Sequence, residues 1–144
     1  MDRAQVLQFM QSNRYAVISS LSEVGTPQSA LVGIAVTTEM EVIFDMLKAS
    51  RKYANLTARP VCSLVIGGWS GEQTVQYEGE AFEPVGEERA QYQEIYFAAW
   101  PGGRERMQSP AITFLVVRPR WIRYSDFDQR PPVIEEVKLD PFGA

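Results

Sequence analysis

Three apolar segments follow one another between Tyr15 and Met46 with hardly a gap: YAVISSLS, QSALVGIAVTT and EVIFDM. EVGTP, rich in turn residues, joins the first two, and the dipeptide EM joins the last two. Joints this short force neighbouring strands to run antiparallel, because a parallel crossover takes a dozen residues or more. The chain is therefore committed early to a meander of antiparallel sheet, and its remaining segments must extend that sheet and cover it.

Most of the remaining sequence reads as further strand. VCSLVIGG is apolar almost throughout, the pattern of a strand buried on both faces. TVQYEGEAFEPV alternates and is then interrupted by Gly79, which predicts a bulge or a close backbone approach. AITFLVVRP and WIRYSDF form two last strands separated by RPR. Three helices are expected. DRAQVLQFMQSN opens the chain with Asp2 as N-cap, and SRKYANLTARP stops at Pro60. GEERAQYQEIYFAAW should turn Ala90, Tyr92, Ile95, Tyr96 and Ala99 inward. The tail from Asp128 is rich in proline and charge and belongs on the surface or against a partner chain. No repeat or linker divides residues 1–144, so a single domain is expected: mainly β with flanking helices (α+β), six or seven strands. A sheet this long with so few helices closes most economically as a small barrel.

Composition removes whole classes of function. The chain has no histidine, so a Ser–His–Asp triad is impossible and zinc loses its commonest nitrogen ligand. No metal site is expected. The single cysteine, Cys62, lies in an apolar run, which predicts a small core residue and excludes an internal disulfide. That thiol, and an N-terminus without the build of a signal peptide, lead to the expectation of a cytoplasmic protein. A formal charge of −4 argues against nucleic-acid binding, and no stretch approaches the length of a membrane span.

One local feature runs against helix physics. Ser50 is a good N-cap, yet the first two helical residues are Arg51 and Lys52. A helix N-terminus carries partial positive charge and unpaired N–H groups, so cations there cost a few tenths of a kcal/mol each, about 0.3–1. Either both side chains point into water, or an anion sits in front of them.

The segments GTPQSALV, EVIFDMLKASRKYANLTARPVCSLVI, VQYEGEAF and VRPRWIRYSD resemble the FMN-binding split barrel of the pyridoxamine 5′-phosphate oxidase superfamily, from Tyr15 to about Asp126. The resemblance implies a Greek-key split β-barrel that forms a homodimer, with FMN in a cleft at the dimer interface. It implies that Ser50, Arg51 and Lys52 hold the flavin phosphate. A dianion there would satisfy the helix N–H groups and turn the two cations from a cost into a complement. Asp45 and Met46 stand where the family has an aromatic–Thr pair lining the flavin, and Gln73 or Thr74 where it has a glutamine. Trp121 and Arg123 match a tryptophan and an arginine that approach the flavin.

The departures are as informative. Ala30 and Ala35 replace an arginine and a lysine of the true oxidases, and the oxidases' Arg- and His-rich C-terminal segment is missing, so pyridoxal phosphate synthesis is not expected. The implied activity is flavin-mediated hydride transfer to or from a small molecule. NAD(P)H is a candidate electron donor and would bind only transiently, because no G-x-G-x-x-G fingerprint is present. The alternative on the same fold is a non-catalytic carrier of flavin, deazaflavin or haem, with the lack of histidine weighing against haem.

Overall fold

The computed structural model describes residues 2–139. Among these, eight strands form one antiparallel sheet, with four helices around it. In chain order the elements are α1 (Arg3–Ser12), β1 (Tyr15–Leu21), β2 (Pro27–Gly33), β3 (Ala35–Val36), β4 (Val42–Leu47) and α2 (Arg51–Ala58). Then come β5 (Val61–Gly67), β6 (Gln73–Phe82), α3 (Gly86–Ala99), α4 (Gly103–Arg106), β7 (Ile112–Asp126) and β8 (Val133–Glu136). The end of the proline-rich tail, 140–144, lies outside the described residues.

The hydrogen-bonded order is β2-β1-β5-β6-β7-β4-β3, with β8 added to β7. Its two ends, β2 and β3, are joined covalently through Ile34. The sheet thus curls into a barrel that is closed by chain connection but not by hydrogen bonds. This is the split barrel expected from the sequence, with one correction to its path. QSALVGIAVTT is not one strand: β2 pairs with β1, whereas β3 pairs with β4. The chain crosses from one lip of the split to the other at Ile34, whose N–H donates to the Arg14 carbonyl at 2.8 Å. The three-strand meander is therefore interrupted, and β4 takes β7 as its long partner.

The barrel interior is filled by alternate residues of every strand, Ile18, Phe44, Leu64, Tyr77, Val117 and Ile122 among them. Helix α1 closes one end with Val6 and Met10, started by a capping box in which Asp2 accepts from the Gln5 N–H and Gln5 accepts from the Asp2 N–H, both at 2.9 Å. Phe9 packs edge-on against Tyr124. Gly67 lies directly beneath the Phe9 ring at φ +92°, and a Cβ there would come within 2.6 Å of Phe9 Cζ. A second apolar layer outside the barrel seats α3 on β4 and β7 through Tyr96, Phe97, Ile43, Phe114 and Val116. Of the inner positions expected on α3, Tyr96 is buried and Tyr92 half-buried; Ala90, Ile95 and Ala99 are exposed, and Phe97 takes their place.

Gly79 fulfils both sequence expectations. The β6–β7 register shifts between Glu78 and Gly79, and a Cβ on Gly79 would run into the Arg118 carbonyl oxygen and Val117 Cγ1. The bulge also explains why RPR does not end a strand. β7 continues through it for 15 residues, and Pro119, which has no N–H to give, sits where the ladder is already disrupted. Its first half pairs with β4 and its second half with β8. A further correction concerns β5. It is buried on one face only, with Val61, Ser63 and Val65 exposed. Cys62 points inward, and burial pushes its thiol up to about 12. Among the described residues no helix is long and apolar enough to cross a membrane.

Candidate functional site

The split itself is the site's frame. Among the described strands β2 is hydrogen-bonded only to β1, and β4 pairs with β3 only at Val42 and Ile43. From Phe44 to Leu47 the edge of β4 away from β7 has no strand partner among the described residues. Two strand edges therefore face each other with backbone N–H and C=O groups free to accept a planar polar molecule.

Helix α2 stands at one end of this cleft. Ser50 caps it, its Oγ accepting from the Tyr53 N–H at 3.4 Å and keeping its own proton to donate. Two polar ties, one through buried Asn55 and one through half-buried Tyr53, hold the helix in place. Asn55 Nδ2 donates to Ser20 Oγ on β1 at 3.0 Å and to Gln28 Oε1 on β2 at 2.9 Å. Tyr53 Oη donates to Glu83 at 2.7 Å. Burial alone would raise the Glu83 carboxyl, but the hydrogen bonds from Thr113 and Tyr53, with Arg89 nearby, hold it below its ordinary value.

The first turn so placed brings Arg51 and Lys52 over β1 and β2. Together with Ile18, Ser20, Gln28, Ser29 and Ala30 they line a cavity of about 100 Å³. Among the described residues no carboxylate pairs with either cation. An anion-sized recess, two cations without carboxylate partners among the described residues and a capped helix N-terminus meet here, a combination whose chemistry suits an anion. Ala30 lines this same recess. Ala35 does not: it is buried beneath α3.

The other expected residues divide. Met46 points into the barrel and is 2% exposed, so only its backbone belongs to the cleft. Asp45 points the opposite way and pairs with Arg106 of α4 at 3.0 Å. Gln73 and Thr74 lie far from the recess within one chain. Ser19 pairs with Ser63, while Thr74 pairs with Gly67, four residues further along β5, roughly 13 Å at the usual strand rise. Gln73 Nε2 donates to Tyr124 Oη at 2.8 Å. Trp121 and Arg123 lie on the outer face of β7, and β8 engages both. Arg123 donates to Glu136 at 3.1 Å and lies over the Trp121 ring. Hydrogen bonds from Arg123 and Trp121 hold the Glu136 carboxyl below its ordinary value, so this acid of the charged tail has partners.

Sequence reasoning named Asp45 but missed the group it joins at the cleft's other end. Arg14, Tyr15, Gly33, Asp45, Tyr96, Trp100 and Arg106 surround a pocket of about 390 Å³. Trp100 fits there because Gly33 has no side chain; a Cβ would come within 2.8 Å of the indole. Its Nε1 donates to the Ile34 carbonyl at 2.9 Å. Sequence spacing gives no sign of this cluster, since the start of β1, β2, β4, the end of α3 and α4 meet only in the fold.

Comparison with solved structures places this architecture among known proteins, all at low identity. A heme binding protein from Mycobacterium smegmatis superposes with a TM-score of 0.79 at 15% identity, over 94% of this chain but only 57% of its own length. A pyridoxamine 5′-phosphate oxidase-related, FMN binding protein from Nostoc punctiforme gives 0.69 at 10% identity, covering 96% of this chain and 97% of that one. A heme storage protein from Vibrio cholerae gives 0.65 at 13% identity, over 83% and 92%. No curated protein matches the chain by sequence. The model of the pyridoxamine 5′-phosphate oxidase family matches residues 3–126, which takes in every strand from β1 to β7 together with the α2 cations. By that match and by its split barrel, the chain belongs to the pyridoxamine 5′-phosphate oxidase family.

Proposed function

We propose that this protein binds FMN in the split and uses it for hydride transfer to or from a small molecule. The observation that carries this reading is the pair Arg51 and Lys52, without ion-pair partners among the described residues, at the capped start of α2 beside an anion-sized recess. Ser50, Arg51 and Lys52 would hold the phosphate, and the unpaired edges of β2 and β4 would hydrogen-bond the ring. When bound, flavin supplies the redox chemistry itself, so a chain without histidine needs no nucleophile of its own. The protein's part is to position, exclude water and orient.

The second reading, a haem carrier, is favoured by the heme-binding proteins among the similar structures. Against it stand the donor set and the axial ligand. Haem iron takes His, Cys, Met or Tyr, and this chain has no histidine and a single, buried cysteine whose thiol is pushed up to about 12, which leaves only methionine and tyrosine to hold the iron. Titrating the protein with FMN, FAD, a deazaflavin and haem separates the readings. FMN should bind saturably and most tightly. The colour should bleach with NADH or NADPH and return in air. Haem binding tighter than FMN would reverse the assignment, and FMN bound without bleaching would leave a carrier.

The same reading includes a homodimer. Leu31, Val17, Val65, Gln76 and Arg123 form one continuous row across the outer face of β2, β1, β5, β6 and β7. Its first part is apolar and exposed: Leu31 is 62% and Val65 43% accessible, with Val61 nearby on β5 at 58%. A second copy laid on this face would bury it and bring its own Trp121, Arg123 and Gln73 to the partner's cleft. Leu31→Lys combined with Val65→Lys should convert a dimer to monomer in sedimentation and lower FMN affinity. A wild-type protein that sediments as a monomer in the presence of FMN removes this part of the reading.

A further inference from the structure

The pocket beside Trp100 has a chemistry of its own. Its aromatic walls are Tyr15, Tyr96 and Trp100. It holds two guanidinium groups and one carboxylate. Arg106 is offset by Asp45 at 3.0 Å. Arg14 is not offset: its guanidinium lies over the Trp100 ring, 4.1 Å from the centroid, with no carboxylate partner among the described residues. A cation–π contact fixes a guanidinium in place without neutralising it. The sum of Arg14, Arg106 and Asp45 is one positive charge, in about 390 Å³, a volume suited to a small ligand.

We propose that this pocket binds a planar aromatic monoanion, an aromatic carboxylate in class, with Arg14 gripping the carboxylate and Arg106 supporting it. The aromatic class follows from the ring-rich lining, in which Tyr15 and Trp100 meet at 69° and offer edges to a further ring, and the single negative charge from the one uncompensated cation. Gly33 and Asp45 lie on the facing strands that edge the split, so the pocket continues the cleft away from α2. The ligand's role as substrate rests on the flavin reading. Its binding does not.

Calorimetric titration of the wild-type protein with benzoate, benzamide and benzylamine tests this directly, alone and after saturation with FMN. Benzoate should bind saturably, and the neutral and cationic analogues at least about tenfold more weakly, as expected when one charge-assisted hydrogen bond is lost. Arg14→Gln should weaken benzoate roughly tenfold by the same argument; Arg14 is exposed, so the fold is not at risk. Asp45→Asn keeps the volume but removes the charge that offsets Arg106, and should tighten benzoate several-fold. Absence of benzoate binding, equal affinity for benzamide, or wild-type affinity in Arg14→Gln each overturns the proposal. The two readings fail separately. Benzoate binding in a protein that takes no FMN fells only the flavin site. FMN binding without benzoate fells only this pocket.

Discussion

Replacing Arg51 and Lys52 together with alanine should lower FMN affinity at least roughly hundredfold while leaving the folded protein intact. Each cation is expected to make a charge-assisted hydrogen bond to phosphate, worth about 1.5–3 kcal/mol where the donor set is well formed. Arg51 is exposed and Lys52 half-buried, so screening by water places both near the lower figure, about 3 kcal/mol in sum. The fold should not suffer, because neither side chain packs in the core and α2 is docked by Asn55 and Tyr53 instead. Removing two cations from a helix N-terminus should even stabilise the free protein slightly. Fluorescence titration with FMN, alongside thermal unfolding of the free protein, reads both quantities. Unchanged affinity in the double variant would take the phosphate away from α2 and the flavin proposal with it.

The largest stability effect is expected at Tyr77. Its ring is 1% exposed at the centre of the barrel. Its hydroxyl lies 2.8 Å from the Met40 carbonyl and 3.0 Å from that of Val117, so its one proton serves two buried acceptors. Burial pushes this phenol well above its ordinary value, so it keeps that proton throughout the working range. Met40 turns the chain from β3 into β4 at φ +64°, a conformation that costs an L residue roughly 1–2 kcal/mol. The tyrosine therefore fills the core and clasps the strained turn. Tyr77→Ala should cost about 3–5 kcal/mol, the range for emptying an aromatic site, and lower the melting temperature by about 10 °C or more. Tyr77→Phe isolates the hydroxyl and should cost about 1–3 kcal/mol, the penalty for stranding buried carbonyls. Equal stabilities for the Phe and Ala variants in urea unfolding would show that the ring's packing is not what matters there.

What the sequence discloses and what it hides separate along one physical line. Features set within a few residues are legible: the Asp2 and Ser50 caps, the end of α2 before Pro60, the bulge at Gly79, the inward Cys62. The unusual cations at the start of α2 are legible because helix physics disfavours them. Features set by which strands meet are not. The break at Ile34 is invisible because both halves of QSALVGIAVTT are equally apolar; only their different partners divide them. β5 reads as buried on both faces because valine occupies exposed positions 61 and 65, where alternation would otherwise show polar residues. β7 reads as two strands because a proline such as Pro119 normally ends one. Arg14 and Trp100 are 86 positions apart, and no local pattern announces a contact that the barrel's curvature creates.

Ile34 has a mechanical consequence. Both of its backbone groups are tied, the N–H to Arg14 and the carbonyl to Trp100. The lips of the split are joined there by a single residue clamped from each side, like the rivet of a pair of tongs. At the opposite end the jaws are bridged only by the loop and helix that follow β4. Any widening of the split is therefore hinged at Ile34 and greatest beside α2.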